Sequence, residues 1–279
     1  MSNYRVFNSE TTPIYARIFV QDQTGNWVPM EVNGFSSQVV VSDYYLGIGR
    51  GDISVYKHGI LNGFRPNLTK ASFLPLNGGV VAEEQIPAEL KIVSTSAEDS
   101  ASGLGVQKVK ICYLDDDYNI LEHLVDLSGQ TPVIINLPAL RHLEGFEAVQ
   151  VGSLGGASGT IVLSDLEGTN NYAQISPGKT LWPHSHLHVP AGHKLFIYKV
   201  GLYAYDADIE FLLYREENYA PEGGVVLKEI WQSYLAKGSF LVDFPVPIVV
   251  EEKRKIELKA RSYIATFAQA GCNIFYWIE

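Results

Sequence analysis

Histidines are concentrated in one short segment of this chain. Four of its seven histidines lie between His184 and His193, where the run reads His184-Ser185-His186-Leu187-His188. In an extended strand alternate side chains point to the same face, so His184, His186 and His188 would share one face. Imidazole is a common ligand of Zn²⁺ and Fe²⁺, so this face is a candidate metal site.

A single strand of histidines is an incomplete metal site. Same-face side chains lie about 6 to 7 Å apart along a strand, so a mononuclear site needs further ligands or symmetry-related copies of the chain. The alternative is an exposed or interfacial strand face, and we favour it, with no metal and no cofactor. Clustered histidines also titrate near neutral pH, which suits a pH-sensitive contact.

The sequence around the histidines indicates a structural role first. The run is followed by Val189-Pro190-Ala191-Gly192 and then by the apolar segment Leu195-Phe196-Ile197-Tyr198. Proline and glycine favour a turn, and an apolar run rich in β-branched and aromatic residues favours a strand. We therefore predict that the histidines lead into a core strand at a corner of a β-structure.

An acidic turn imitates the start of a calcium loop. Asp115, Asp117 and Asn119 stand at alternate positions, as calcium ligands do in such loops. However, Ile120 replaces the glycine of the sixth position, and Asp126 stands where a bidentate glutamate is expected. We predict a hairpin turn here, without calcium.

Other short motifs carry less information. Gly47-Ile48-Gly49-Arg50-Gly51-Asp52 lacks the sixth-position glycine and the following helix of a dinucleotide site, so we expect a loop. Asn67-Leu68-Thr69 has the form of a glycosylation acceptor, but nothing indicates secretion. The pairs Glu83-Glu84 and Glu216-Glu217 are expected in exposed loops or turns. No serine elbow, Cys–His pair or phosphate loop occurs, and we do not expect an enzyme or a catalytic residue.

Composition limits the class of protein. The chain has 279 residues, 46% of them hydrophobic, which suffices for a sizeable core, and no apolar run approaches the roughly 20 residues of a membrane helix. The net charge of -10 disfavours binding to nucleic acid. No apolar signal-peptide core follows Met1, so we expect the chain to stay in the cytosol where it is made. The two cysteines, Cys112 and Cys272, are expected to be free thiols in strands.

The pattern of the chain is typical of an all-β protein. It contains 25 glycines and 16 tyrosines, and its β-branched residues alternate with polar ones. The segments 108–113 and 120–127 form a predicted hairpin around the acidic turn, with Val109, Ile111 and Tyr113 on one face of the first strand. In the segment 255–261, the side chains of Ile256, Leu258 and Ala260 are expected in the core, and those of Lys255, Glu257, Lys259 and Arg261 in water. Further strands are predicted at 14–20, 27–32, 195–205, 209–215, 225–235, 240–244 and 274–278.

Three regions are predicted along the chain. Residues 1–82 form an N-terminal hairpin and an extended arm, with an irregular segment at 44–79 that contains several glycines and prolines. Residues 83–164 form an antiparallel β-sandwich unit, and residues 165–279 form a second, jelly-roll-like one. Within the middle unit, 138–146 suits a short helix, with a strand as the alternative.

Three segments of the chain resemble a family of tailed-bacteriophage virion proteins. They are 94–122, which begins Ser94-Thr95-Ser96-Ala97-Glu98-Asp99; the turn Val189-Pro190-Ala191-Gly192-His193; and Phe244-Pro245-Val246-Pro247 through Ala260-Arg261-Ser262. In the family a Val-Pro-Ala-Gly-Lys turn leads into an apolar strand, and a late amphipathic strand ends in Arg-Ala or Ala-Arg. The resemblance covers 90–279. Here His193 replaces the usual lysine or small polar residue, and the run His184–His188 has no counterpart.

The resemblance implies a structural component of the phage particle. Such a protein binds other virion proteins, including the major capsid protein or neck and tail proteins, as a decoration, cement or vertex protein. It implies a homo-oligomer, with a trimer favoured, localised in the virion after synthesis in the host cytoplasm. Neither nucleic acid nor membrane is an expected partner. The segment 44–79 is a candidate anchor to the particle.

Two alternatives remain for the function. One is a neck, tail or fibre component of the same particle. The other is a carbohydrate-binding module for host recognition, in which Trp27, Trp182 and Trp231 stack on sugars. A lyase or hydrolase acting on host polysaccharide is disfavoured by chain length and the lack of a clear acid pair.

Overall fold

The all-β prediction is confirmed for the part of the chain that the structure describes. The structure, a computed structural model, describes residues 4–7, 17–21, 27–29, 55, 57–80, 86–218, 226–263 and 267–279. Its regular elements within these residues are strands, and none is a helix. Accordingly, none of the described residues belongs to an apolar helix long enough to cross a membrane. The chain divides into two units, Met1–Val55 and Tyr56–Glu279.

The first unit contains one antiparallel sheet of three strands in the order β1-β2-β3. The strands are β1 (Tyr4–Phe7), β2 (Arg17–Gln21) and β3 (Trp27–Pro29). The predicted pairing of the strands near 14–20 and 27–32 is confirmed as β2 and β3. Residues 22–26, where the sequence Gly25-Asn26 favours a hairpin turn, lie outside the described residues.

The described residues of the second unit form four sheets. Its first strands are β4 (Lys57–Leu68), β5 (Leu74–Pro75), β6 (Glu89–Ser94), β7 (Val106–Leu114), β8 (Ile120–Asp126), β9 (Val133–Asn136), β10 (His142–Val151), β11 (Ile161–Ser164) and β12 (Asn171–Ile175). They are followed by β13 (His186–His188), β14 (Leu195–Ala204), β15 (Ile209–Asn218), β16 (Val226–Leu235), β17 (Gly238–Val250), β18 (Lys255–Ser262) and β19 (Ala268–Ile278).

Two sheets share the central core, which we define as the buried cluster of apolar residues between Val80 and Trp182. Their strand orders are β10-β7-β8 and β12-β11-β6-β9. The hairpin of β7 and β8 is confirmed, with Val109, Ile111 and Tyr113 buried as their alternation predicts.

The other two sheets share the C-terminal core, the buried cluster drawn from Leu61–Leu76 and Leu187–Ile278. One sheet has the order β17-β14-β19-β4, and the other has the order β13-β18-β15-β16, with β5 also pairing with β18. Strands β16 and β17 are consecutive in the chain, and each lies at the edge of a different sheet. The predicted boundaries at 82 and 164, and the sandwich or jelly-roll arrangement, stay predictions.

The interpretation of 44–79 as an irregular arm is wrong for 57–68, which form the regular strand β4 beside β19. Glycines in this segment suggested a loop, but they permit close packing within the sheet. A Cβ atom on Gly59 would lie 2.9 Å from the Tyr276 hydroxyl, and one on Gly63 would lie 2.7 Å from Cys272 Sγ. These glycines therefore mark close contacts between strands rather than breaks in a strand.

The helix expected at 138–146 is also wrong, and its alternative, a strand, is confirmed for 142–146, which belong to β10. Leu143 and Phe146 are both buried although they are three residues apart, a spacing that resembles a helix. A β-bulge explains it. Leu143 pairs with Tyr113 and Gly145 pairs with Cys112, so Glu144 is the additional residue of the bulge.

The predicted pattern of β18 holds on its apolar face and fails at one residue of the other face. Ile256, Leu258 and Ala260 are buried as expected, but Glu257 is buried too. Its carboxylate lies 3.4 Å from Lys255 Nζ and 3.0 Å from Lys259 Nζ. The positive charges of two lysines on the same strand therefore compensate the charge of this buried carboxylate.

Candidate functional site

The histidine strand β13 lies between the two cores. Leu187 belongs to the C-terminal core, whereas the histidines on either side of it contact β10 of the central core. The prediction that His186 and His188 share one face is therefore confirmed. Of the two alternatives expected for this face, exposed or interfacial, the exposed one is wrong, because His184, His186 and His188 are all buried.

Glu144 is the buried acid of this cluster. Its Oε1 lies 2.5 Å from His188 Nδ1, and its Oε2 accepts a hydrogen bond of 3.1 Å from the backbone N–H of His188. A contact this short between Nδ1 and Oε1 requires one proton between the two atoms, because two lone pairs would repel. The bulge in β10 turns Glu144 toward β13 and so creates this pair.

The other two histidines of the run donate to carbonyl groups. His184 Nδ1 lies 3.1 Å from the carbonyl oxygen of His186, and His186 Nε2 lies 3.0 Å from that of Leu143. Because a carbonyl oxygen only accepts, each of these ring nitrogens carries the hydrogen of its bond. Both imidazoles are thus held in fixed orientations by the backbone.

The aromatic rings of the site form a continuous row between the cores. His142 and His188 are stacked with ring centroids 3.7 Å apart and an angle of 11°. At the far end Trp182 stacks on His184 with centroids 4.7 Å apart. In order, the row contains Tyr118, His142, His188, His186, His184 and Trp182.

Burial dominates the electrostatics of Glu144. Removal from water raises the pKa of its carboxyl group above the ordinary value, although the neighbouring histidines and the His188 N–H act in the opposite direction. The site therefore combines several imidazoles with a carboxyl group that holds its proton more tightly than an exposed one.

The metal hypothesis receives no geometric support from these residues. Among the described parts of the chain, no group of three or more His, Cys, Asp or Glu side chains is placed to hold a metal ion. Nδ1 of His184 and of His188, and Nε2 of His186, instead make the hydrogen bonds given above.

His142 and Glu144 are site residues that the sequence analysis missed. They lie at least 40 residues before the histidine run, and both fall in the segment 138–146, for which the sequence suits a short helix. The apolar residues Leu143 and Phe146 around them carried a signal for β10, but nothing local indicated that the bulge would aim Glu144 at His188.

The acidic turn at 115–119 is a hairpin turn in the structure. Asp115 Oδ1 accepts hydrogen bonds from the backbone N–H of Asp117 and of Asn119, and its Oδ2 accepts one from the Asn119 side chain. These bonds lower the pKa of the exposed Asp115 carboxyl group, with the Asn119 side chain as the main cause. Both oxygens of Asp115 therefore stabilise the turn.

The expectation for Glu216-Glu217 is wrong, and two other motifs lie outside the described residues. Glu216 and Glu217, expected in an exposed loop, lie in β15, where Glu216 is buried and Glu217 forms ion pairs with Arg215 and Arg254. The segments 47–52 and 83–84 lie outside the described residues.

Trp182 and Trp231, two of the three tryptophans proposed for sugar binding, do not form an exposed platform. Trp182 is buried beneath His184, and its Nε1 donates to the Asn77 carbonyl oxygen. Trp231 packs edge-on against Phe244 with centroids 5.9 Å apart. The side chain of Trp27 lies outside the description.

The loop that carries the resemblance is organised by one buried carboxylate. Asp99 accepts hydrogen bonds from the Ser94 hydroxyl at 2.6 Å and from the backbone N–H groups of Val106, Ser158 and Gly159 at 2.8 to 2.9 Å. This carboxylate ties the loop after β6 to the start of β7 and to the loop before β11. Hydrogen bonds within this chain therefore explain the acidic residue of the motif Ser94–Gly103.

Comparisons with known proteins yield one weak likeness. No protein-family model and no curated protein matches the sequence. Among solved structures, the chain is similar to a chain from the structure of infectious bursal disease virus, Gx strain, at 11% sequence identity and a TM-score of 0.22. The match covers 81% of this chain and 73% of the viral chain. A TM-score this low does not indicate a shared fold, so neither fold nor function is drawn from it.

Proposed function

We propose that the protein is a structural component of a tailed-phage particle that binds other virion proteins at the capsid surface or at a vertex, as a decoration or cement protein. The sequence resemblance suggests this class of protein. The structural observation that carries the proposal is the edge of β17, which combines an unpaired side with exposed apolar side chains.

Strand β17 pairs with β14 along one side, and no other described strand pairs with it. Phe240 and Leu241 are each 52% exposed, and Val246 is 80% exposed. A long edge strand with apolar side chains is a surface on which another chain can add a strand or bury area. This surface suits assembly better than it suits an isolated chain.

The edge has two parts with different properties. In the pairing with β14, Ile248 lies opposite Ile197, and the next pair is Asp243 opposite Lys199. Residues 244–247 therefore form a bulge outside the ladder. Pro245 and Pro247 lie in this bulge, where a missing N–H removes no ladder bond. Because prolines and bulges oppose strand addition, Gly238–Asp243 is the part of β17 that accepts a neighbouring strand.

A closed symmetric oligomer would cover this edge in every copy. We propose a homotrimer, in which repeated edges contact neighbouring copies and the assembled trimer contacts other virion proteins. In this arrangement the protein binds and stabilises the particle, and no catalytic step is required of it.

Incorporation into particles tests the proposal. The double substitution Phe240→Lys and Leu241→Lys places charges on the edge, and we expect it to remove the protein from purified particles of the virus that encodes it. Leu154→Lys is the matched control, because Leu154 is similarly exposed in a loop of the central core. Equal incorporation of the double variant and the control would contradict the proposal.

Localisation in the intact particle separates the proposed position from its alternative. Electron microscopy of particles that carry a labelled chain should show the label at the capsid surface or at vertices. Label at the neck, tail or fibres would favour the alternative within the same class of protein, and absence of the chain from particles would refute both.

A further inference from the structure

A cleft lies on the side of the β17-β14-β19-β4 sheet that faces away from the C-terminal core. Its volume is about 750 Å³, and it is closed on the opposite side by the segment 176–181 that follows β12. Clefts of this size between packed elements are typical of small-molecule sites. The cleft shares no residue with the β17 edge, so its role goes beyond the proposed function.

Two tyrosines form an aromatic floor in this cleft. The rings of Tyr203 and Tyr205 are nearly parallel, at 19°, with centroids 6.4 Å apart. A Cβ atom on Gly201 would lie 3.4 Å from the Tyr203 hydroxyl, and one on Gly271 would lie 3.3 Å from the Tyr205 hydroxyl. The glycines therefore let both phenol groups lie close against the sheet, and Tyr205 remains 51% exposed.

Amide side chains stand beside the tyrosines. Asn62 of β4 and Asn273 of β19 are register partners, and both line the cleft. Asn273 Nδ2 donates to the Tyr203 hydroxyl at 2.9 Å, which fixes the ring and leaves the Asn273 carbonyl oxygen as an acceptor. Ser176 and Thr180 add hydroxyl-bearing side chains from the opposite side. The cleft thus offers donors and acceptors next to an aromatic surface.

The charge of the cleft is low. Among its lining residues, Lys179 is the ionised side chain, and no carboxylate lines it. We propose that this cleft binds a neutral oligosaccharide, with a pyranose ring stacked on Tyr205 and its hydroxyl groups bonded to Asn62 and Asn273. Sugars combine an apolar C–H face with vicinal hydroxyls, and aromatic rings beside amides match both features.

A second cavity gives room for a longer ligand. It has a volume of about 330 Å³ and shares Asn62 and Leu181 with the first, so the two adjoin along β4. Its walls include Lys110, which forms ion pairs with Glu122 and Glu147. Further sugar units would therefore extend from the aromatic cleft toward these polar groups.

Titration calorimetry with the full, tag-free chain and a panel of neutral oligosaccharides tests the proposal. We expect at least one neutral oligosaccharide to bind, and Tyr205→Ala to weaken its binding by about tenfold or more, because the stacking surface is lost. Tyr205→Phe keeps the ring and should bind within a few-fold of the unaltered chain. Asn62→Ala should weaken binding without changing the thermal unfolding temperature.

Tyr263→Ala is the matched control, because Tyr263 is similarly exposed but lies outside the cleft. Its binding should equal that of the unaltered chain. The proposal is overturned if no neutral oligosaccharide binds at millimolar concentration, if only acidic sugars bind, or if Tyr205→Ala and Tyr263→Ala have equal effects. None of these outcomes bears on incorporation into particles, so the two proposals fail separately.

Discussion

Glu144 and His188 form a buried hydrogen-bonded pair that joins β10 of the central core to β13 beside the C-terminal core. The pair depends on a bulge, since Glu144 is the residue that β10 inserts between the partners of Tyr113 and Cys112 in β7. Two cores that are each apolar inside therefore meet through a buried polar contact between a carboxyl group and an imidazole.

The first prediction concerns this pH response. Burial raises the pKa of Glu144 above its ordinary value of 4.5, so between the two values the folded chain holds a proton that the unfolded chain has lost. The stability contributed by this group therefore falls as pH rises from 4.5 through the folded pKa. Glu144→Gln has no titratable group at this position. The difference in unfolding free energy, unaltered chain minus variant, should therefore decrease as pH rises over the same range.

Urea unfolding at a series of pH values from 4 to 8 measures this difference. The slope should reach about 1.4 kcal/mol per pH unit where the folded and unfolded states differ by one proton. Glu147→Gln, which removes a more exposed carboxylate from the same strand, is the control and should run parallel to the unaltered chain. Parallel curves for Glu144→Gln as well would show that the prediction is wrong.

The second prediction concerns Asp99, whose carboxylate accepts from one hydroxyl and three backbone N–H groups. Asp99→Asn replaces an acceptor oxygen by an amide that donates, and so leaves buried N–H groups without a partner. We expect a loss of about 3 kcal/mol in unfolding free energy. Asp126→Asn, at an exposed carboxylate, should change it by less than about 0.5 kcal/mol. An equally small effect at Asp99 would contradict its role.

The features of the fold that were predictable from sequence are those specified by neighbouring residues. The hairpin of β7 and β8 follows from the alternation of Val109, Ile111 and Tyr113 and from a turn that Asp115 caps with its own side chain. The apolar face of β18 was also predictable, because the alternation of apolar and polar residues along one strand decides which side chains enter the core.

The features that could not be predicted depend on contacts between distant residues. Strand β4 pairs with β19, which lies about 200 residues away in the sequence. The residues around the glycines of β4 therefore do not indicate that these glycines are packing positions. Glu257 is buried because β13 pairs beside it, with His186 opposite. The site at Glu144 required both a bulge and a strand from the other core. The burial of the histidine face of β13 likewise depends on contacts with β10 and could not be predicted from a strand considered alone.

The third prediction concerns the two thiols, which are free in the structure. Burial raises the pKa of Cys112 to about 11 and that of Cys272 to about 12. Because the thiolate is the reactive form, both should react slowly with iodoacetamide in the folded protein at pH 7.5. The rate at Cys112, which is partly exposed, should rise about tenfold per pH unit up to pH 10.

Mass spectrometry of the alkylated chain measures these rates site by site. Full and rapid labelling of both thiols in urea provides the control, since unfolding restores an ordinary pKa. Labelling of native Cys272 as fast as in urea would contradict its burial.

The last prediction concerns self-association through β17. In sedimentation velocity, the unaltered chain should form an oligomer, and a trimer is expected. The double substitution Phe240→Lys and Leu241→Lys should shift it to smaller species, because like charges on adjacent edges repel and the apolar contact area is lost. Both side chains are about half exposed, so the thermal unfolding temperature of the monomer should change little.

Leu154→Lys should leave the oligomer intact. If the unaltered chain stays monomeric at concentrations of tens of micromolar, β17 does not drive self-association in solution, and the prediction is wrong.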